Sequence, residues 1–505
     1  MPSLSLTLLP PEVLTETLLY LDVRSLTRCS AVCRTLDRII RGSVAINYLI
    51  ELGFEDMDDP CIAPGTTSDR LRRLRARGRA WAQLDWGPIS RIPSPGECSA
   101  YEVIDGQFVK MVWGKEITVL NLPSVGTKAS LEHKDDVDGM IKDFALDPSQ
   151  DLIVYLEDDA SPPSFAQPRK LTMHIRTLST NQPHPKAKRP ILPITIDPDD
   201  TWANMLGLVT IQLMEDTLVL FVRNPFTSSR LVVWNWKDGE ELADFDAHEE
   251  NNAIHFGFID SRTFLLSCST QPGGCISIMR LEEGKSEPRW IASLLMPETK
   301  PGVRVDACIT HCSAVPRHPS RPTPAPNKRI HTFTLTYTRE NDTDENHASH
   351  CLFVPNDFFL KVVAESRRGY EPRIIPWHEW GTANSRFVKM AGTYHWMRYV
   401  SGQKVVCPAP PDGDVVRIYD FNIHPTRLLP ESDVLHAELG CGRVRRGKLF
   451  KRDVWTALPY YELTRKVEHE YSGYMIDEQR IIGLQTSEGP DGLELEYIDV
   501  YPIKN

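Results

Sequence analysis

The sequence predicts a multidomain chain: a small all-α N-terminal module and a helical linker, then a large all-β, propeller-like domain of about seven irregular blades. Three observations carry this. Leucines recur at helical spacing in the opening segment. An arginine-rich segment with its own apolar stripe follows. From Tyr101 the apolar period changes to two, and strand–turn–strand units recur to the end. The expected boundaries are 1–50, 51–100 and 101–505.

The first element begins at Leu8-Leu9-Pro10-Pro11-Glu12-Val13-Leu14. Pro10 and Pro11 suit the entry and first turn of a helix, where a missing N–H costs nothing. Glu12 then lies where a carboxylate favours the helix dipole. Leu14, Leu18 and Leu21 recur at i, i+4, i+7, and Val13 and Leu19 widen that face. Asp22 is the expected N-cap of a second helix carrying Leu26, Cys29, Val32 and Cys33. A third helix carries Leu36, Ile39, Ile40 and Val44. So small a module holds more aliphatic side chains than its own packing should consume. The spare apolar face reads as a docking surface.

Asn47–Asp59 is expected to continue the third helix into the acidic run Glu55-Asp56-Met57-Asp58-Asp59. After a loop over 60–67, Thr67 or Ser68 is expected to cap a helix with Leu71, Leu74 and Trp81 on one stripe. Arg70, Arg72, Arg73, Arg75, Arg77 and Arg79 lie off that stripe and read as a solvated face.

The β region opens with Tyr101–Ile104, a turn at Asp105-Gly106, a strand over 107–113, a turn at Gly114-Lys115 and Ile117–Leu122: a three-strand meander. Further units centre on 144–156, 205–236, 256–278, 333–354, 397–420 and 474–501. At roughly 40–50 residues per blade, some 400 residues allow about seven blades. A two-sheet sandwich needs far fewer strands. Pro-rich insertions fall at 161–167, 182–193 and 313–328; the last cannot form a central strand and reads as a mobile loop or an extended polyproline segment. A polar loop falls at 341–346.

Composition narrows the function classes. Hydrophobic residues make up 41% and charged residues 25%, as in soluble globular proteins. No apolar run approaches the ~20 residues of a membrane span, and the N-terminus does not read as a signal peptide. The net charge of -11 argues against a general nucleic-acid surface. The 11 cysteines lack a framework of spacings and read as reduced thiols, so a cytoplasmic or nuclear location is expected.

Other motifs are weaker. Gly442-Arg443-Val444-Arg445-Arg446-Gly447-Lys448-Leu449 has the glycine and lysine spacing of a phosphate loop, but Leu449 stands where a magnesium-holding hydroxyl belongs. Cys308-x-x-His311-Cys312 has no second cluster of matching spacing, so these read as core or surface thiols. Trp377-His378-Glu379-Trp380-Gly381 lacks the second histidine of a zinc helix and reads as a packing element. Asp199-Asp200 lies in a loop with nothing to mark an acid–base pair. No cofactor and no metal are expected.

Leu9-Pro10-x-Glu12-Val13-Leu14, then Leu18, Tyr20-Leu21-Asp22, Leu26 and Val32-Cys33-Arg34, resembles an F-box over about Leu8–Ile40. Leu36 departs from it, since many members carry Trp there. The segment from Asp69 to Trp86 and the Trp377 tract resemble parts of fungal F-box receptors. Trp234-Asn235-Trp236-Lys237-Asp238-Gly239 resembles the end of a WD-type repeat, with Asn for the usual Asp and no Gly-His dipeptide.

The F-box resemblance implies binding to the Skp adaptor, and through it a cullin. The contacts it implies are Leu9, Pro10, Glu12, Val13, Leu14, Leu18, Leu21, Leu26, Val32 and Cys33. The implied role is that of substrate-recognition subunit in a ubiquitin ligase, non-catalytic itself. It would hold a target protein, to be marked for degradation, beside an external enzyme, with no nucleic acid and no membrane as partner. A propeller enzyme with a central-channel site is the alternative; it would need inward Asp, Glu or His at matching positions, and the sequence shows no such recurrence. A scaffold that binds the adaptor without promoting degradation is a further alternative.

Overall fold

Ring closure dominates the architecture. Hydrogen bonding sorts most strands of the β region into seven sheets of four or five strands, taken in chain order. The computed structural model describes residues 9–59, 65–94, 96, 98–112, 116–136, 139–158, 169–196, 208–224, 228–247, 253–269, 273–312, 321–339, 348–366, 371–390, 398–408, 414–423, 435–489 and 492–504. Blade one begins with Ala100–Ile104, blade two with Met140–Asp147 and blade three with Leu208–Met214. Blades four to seven begin with Ala253–Asp260, Val303–Cys312, Val400–Ser401 and Gly473–Ile476. Contacts between successive first strands place them innermost, around the axis. The ring shuts where Ser90–Pro93 pairs antiparallel with Gly492–Pro502, Ser90 opposite Val500 and Ile92 opposite Ile498. A chain segment from before blade one thus becomes the outer strand of blade seven. The expected boundary at 101 therefore falls inside the closed ring.

Each blade is buried on both faces by its neighbours, so its central strands need not alternate. Every residue of Thr263–Cys268 is buried, as are Leu152–Leu156. The cores lie between blades: Val109 and Val119 pack with Phe144 and Ile153, and Leu156 and Met173 with Leu218 and Leu220. Asp105 and Gly106 both have positive φ, 52° and 80°, which is the tight hairpin turn the sequence indicates.

Three features differ from expectation. Blade one has a fourth strand, Ser130–Asp136, beyond the expected meander; the turn at Gly114-Lys115 lies outside the described residues. Blade five is interrupted before its outer strand Arg386–Lys389 by two helices, Asn356–Ser366 and Trp377–Asn384. Between them, Arg373–Ile375 adds a parallel edge strand to blade four. Blade six carries an extra edge strand, Leu435–Glu438, and a hairpin of Gly442–Val444 with Val454–Thr456. The Pro-rich stretch 182–193 ends in the outer strand Ile191–Ile196 of blade two, where Pro193 needs no donor. The loops at 161–167 and 341–346, and Asp199-Asp200, lie outside the described residues.

Ahead of the ring, the described residues form five helices: α1 (Pro11–Leu18), α2 (Val23–Ser30), α3 (Arg34–Gly42), α4 (Val44–Phe54) and α5 (Thr67–Ala82). The expected third helix is two. Ser43 leaves the helical region at ψ 115°, and its hydroxyl accepts the Ile46 N–H at 3.3 Å. Val44 therefore opens α4. Asn47 Nδ2 reaches back to the carbonyls of Ile40 (3.0 Å), Arg41 (3.0 Å) and Ser43 (2.7 Å), closing the end of α3. The cap of α5 is Thr66, one residue earlier than expected; its Oγ1 accepts the Asp69 N–H at 3.1 Å. No helix among the described residues is long and apolar enough to cross a membrane.

Candidate functional site

The α1–α3 module is built from its caps inward. Pro10 precedes α1 at φ -55° and ψ 146°, and Pro11 starts the helix. The Asp22 carboxylate accepts the Ser25 N–H at 2.7 Å, which holds its pKa below the usual carboxylate range. Leu18, Leu26, Leu36, Ile40 and Ile46 form one core, with Leu19, Leu21, Cys29 and Cys33 packed at its edge.

This core divides the ten residues expected at a partner surface. Leu14, Leu18 and Leu26 are 2%, 3% and 0% exposed: the chain's own helices cover them. The i, i+4 spacing that suggested a docking face is the spacing of the core-facing stripe. Leu21 and Cys33 are half-buried. Leu9, Pro10, Glu12, Val13 and Val32 are exposed; Val32 is 71% exposed, and Tyr20, conspicuous in the same stretch, 90%. Leu36, where the family's Trp is missing, is buried in the core. Leu8 lies outside the described residues.

Helix α4 is apolar on two sides. Ile46 and Ile50 face the module, while Tyr48 and Leu52 join Leu71 and Leu74 of α5 and Met57 in a second core. The arginines of α5 are not simply a solvated face. Arg70 pairs with Asp59 at 2.9 Å and lies over the Tyr48 ring, and Arg75 pairs with Glu51 at 2.9 Å. Arg77 donates to the Glu478 carbonyl at 2.9 Å, alongside Trp81 Nε1 at 3.3 Å. Arg72, Arg73 and Arg79 remain exposed.

These bonds belong to a bracket between linker and ring. Met57–Asp58 pairs with Thr323–Pro324 as a two-stranded ribbon, and the Ala325 N–H donates to the Asp56 carbonyl at 2.9 Å. The described part of the expected mobile loop at 313–328 is therefore a docking strip for the linker. Gln403 donates to Asp56 at 2.6 Å, and Asn422 to the Phe54 carbonyl at 2.9 Å. Farther along, Arg465 stacks 3.8 Å over Trp86, and the Gly87 N–H donates to the Pro502 carbonyl at 2.7 Å. Thr323, Gln403 and Glu478 all lie between the first and second strands of their blades, five, six and seven. In an antiparallel blade those connections share one face of the ring with the third-to-fourth turns. The bracket thus occupies that near face. The far face carries the second-to-third turns and the connections between blades.

The axis holds residues that local sequence did not associate. Glu102 of blade one, Asp143 of blade two, His255 of blade four and His311 of blade five line one cavity, with Arg398 ahead of blade six. Glu102 is ion-paired to Arg398. Asp143 accepts the Ile211 N–H at 3.3 Å, and burial pushes its carboxyl up to about 7. His255, beside the Phe256 carbonyl at 2.9 Å, is pushed down to about 4 by burial, and His311 falls well below its ordinary value for the same reason. The cavity they line is about 70 Å³, far below the 300–1,000 Å³ typical of a ligand site.

The remaining motifs are placed as follows. Cys308 and His311 sit in the first strand of blade five, and burial pushes the Cys308 thiol up to about 12. Among the described residues no three His, Cys, Asp or Glu side chains gather as metal ligands. Trp377 and Trp380 lie in the second inserted helix, rings 5.0 Å apart, with Trp380 Nε1 donating to the Leu295 carbonyl at 2.9 Å; packing is their role. Trp236 is fully buried, with its indole N–H on the Glu215 carbonyl at 3.0 Å. Gly442–Leu449 spans the short strand Gly442–Val444 and the turn after it, not a strand-to-helix phosphate loop.

A family model described as F-box-like matches residues 6–45. No curated protein matches the chain. Among solved structures, the C-terminal WD40 domain of Sif2 is 8% identical, covering 83% of this chain and 99% of that one, at a TM-score of 0.37. Kluyveromyces lactis Hsv2 is 8% identical, with 81% and 100% covered and a TM-score of 0.36. The WD40 domain of SCAP from fission yeast is 6% identical, with 82% and 83% covered and a TM-score of 0.35. At these values the ring is established by its own strand pairing. The chain carries an F-box-like domain, followed by a seven-bladed β-propeller.

Proposed function

We propose that this chain is the substrate-recognition subunit of a Skp–cullin–F-box ubiquitin ligase. One observation carries the reading: a helical module with a complete core of its own still leaves Leu9, Val13 and Val32 in solvent. Each such aliphatic, once covered, contributes ~1.5–3 kcal/mol before ordering costs. In this reading the Skp adaptor covers them, and the cullin follows through the adaptor. The bracket supports the reading because it joins the module to the near face through strand pairing and side-chain hydrogen bonds. Target held on the far face then sits at a set distance from the adaptor, and catalysis is positional. The chain works where cullin ligases work, in cytoplasm or nucleus.

The test is reconstitution with purified adaptor and cullin. Val13→Asp with Val32→Asp should abolish adaptor recovery while the melting of the propeller stays unchanged. Full recovery with that variant, or none with the unaltered chain, defeats the proposal. Adaptor binding without ubiquitin transfer to any captured protein would favour a scaffold instead. Leu14 and Leu18 are unsuitable positions, since charge there opens the module's own core.

A further inference from the structure

The cavity between blades five and six is chemically unlike the rest of this acidic chain. It is about 740 Å³ in volume, ten times the axial one. One wall is the outer strand of blade five, with Arg386 and Lys389; the other is the Gly442–Thr456 hairpin, with Arg443, Arg445, Arg446 and Lys448. Among the described residues that line it, Glu438 is the one carboxylate. Arg443 has Asp453 at 3.6 Å, but Lys389, Arg445, Arg446 and Lys448 have no carboxylate within ion-pair distance among the described residues. Among the described residues of a chain of net charge -11, such a cluster of like charges without carboxylate partners is unfavourable by mutual repulsion unless an anion joins it.

The site is also built. Arg386 is 3% exposed, and its guanidinium is held by the carbonyls of Leu458 (2.8 Å), Glu438 (3.2 Å) and Gly440 (2.9 Å). Those bonds use Nε and Nη2. Nη1 lies 2.2 Å from where a Cβ on Gly442 would stand, so only glycine admits the arginine there. The turn that carries Arg445 and Lys448 is fastened on both sides. Its Arg446 N–H donates to Asp453 at 2.8 Å, and Lys300 Nζ donates to the Gly447 carbonyl at 2.8 Å. The floor is Phe387, Phe450 and Tyr460, all buried, which suits a carbon skeleton and not a bare ion.

We propose that this cavity binds a small molecule bearing several phosphate groups. Guanidinium forks and ammonium groups around an apolar floor match phosphates carried on a carbon frame. Leu449 lines the cavity and brings no metal-holding hydroxyl to it. The phosphates can come from a soluble ligand or from a lipid headgroup, and the test separates the two. Binding of inositol hexakisphosphate is measured by calorimetry on the full chain without adaptor, at physiological salt and in EDTA. In parallel, the chain is floated with phosphatidylcholine vesicles with and without phosphatidylinositol bisphosphate. Arg445→Glu with Lys448→Glu should cut the binding by at least about tenfold. Arg72→Glu with Arg73→Glu, exposed arginines of α5, should leave it unchanged. Binding of the soluble probe or of the phosphoinositide vesicles, lost in the cavity variant, supports the site and names its source. Binding of neither probe, or equal binding by the cavity variant, overturns it. Because no adaptor is present, either result is independent of the ligase reading.

Discussion

The α1–α3 module and the α5 linker treat the same residue types in opposite ways. In α5 the apolar stripe is sealed by α4 and the ring, and three of the arginines are engaged by named partners. In α1–α3 the core is complete, yet Leu9, Val13, Tyr20 and Val32 stay open. Among the described residues, α5 leaves no large apolar side chain in solvent, whereas the stretch from Leu9 to Val32 leaves four. The difference lies in what covers each helix, not in composition.

Acid should separate the two regions most. His255 and His350 are pushed down to about 4 and His331 to about 3 by burial, with His311 well below its ordinary value. Each is neutral in the fold and takes a proton once unfolded, so stability present above pH 6.5 is lost as pH falls toward 4. Asp143 and Glu478, raised by burial, act with the opposite sign. Four groups against two leave a net loss of stability as pH falls from 6.5 toward 4. All of these residues lie in the ring; residues 1–100 contain no histidine. Melting followed by hydrogen exchange at pH 7 and pH 5 should show the blades weakening while α1–α3 protection holds.

Trp81→Ala comes next. It deletes a buried indole and its bond to Glu478, at a cost of ~3–5 kcal/mol. Exchange should rise across α5 and the 57–58 ribbon and not within α1–α3. Leu26→Ala is the reciprocal change, ~2–5 kcal/mol inside the module's core. It should expose α1–α3 to trypsin and leave the ring's melting temperature alone. If either variant loosens both regions equally, the two cores are one cooperative unit and the contrast fails. Asn47→Ala is smallest, about 1 kcal/mol, and should fray only the α3–α4 corner.

Local signals made much of this legible. The proline pair, the Asp22 cap and the leucine spacing placed α1 and α2, because a helix start is chemistry within four residues. The turn at Asp105-Gly106 and the strand runs marked the blades. The break at Gly42-Ser43 carries its own stop and cap residues, but the apolar pattern shared by α3 and α4 runs across it. Phe359, Val362, Val363 and Ser366 have helical spacing, and all are buried against the ring, so the first inserted helix had a readable signal. Burial in α1–α3 differs from the sequence expectation for a different reason. Periodicity shows that a face is apolar, not what covers it.

Sequence alone determined the order of parts: helical opening, basic linker, long repeated sheet. Those follow from spacing along the chain, which local backbone physics reads directly. Closure by Ser90–Pro93, the axial meeting of Glu102 with Arg398, the bracket at Glu478 and the basic cavity were decided only in three dimensions. Each joins residues far apart in the chain that share no motif, so only the folded ring and its linker bring them together.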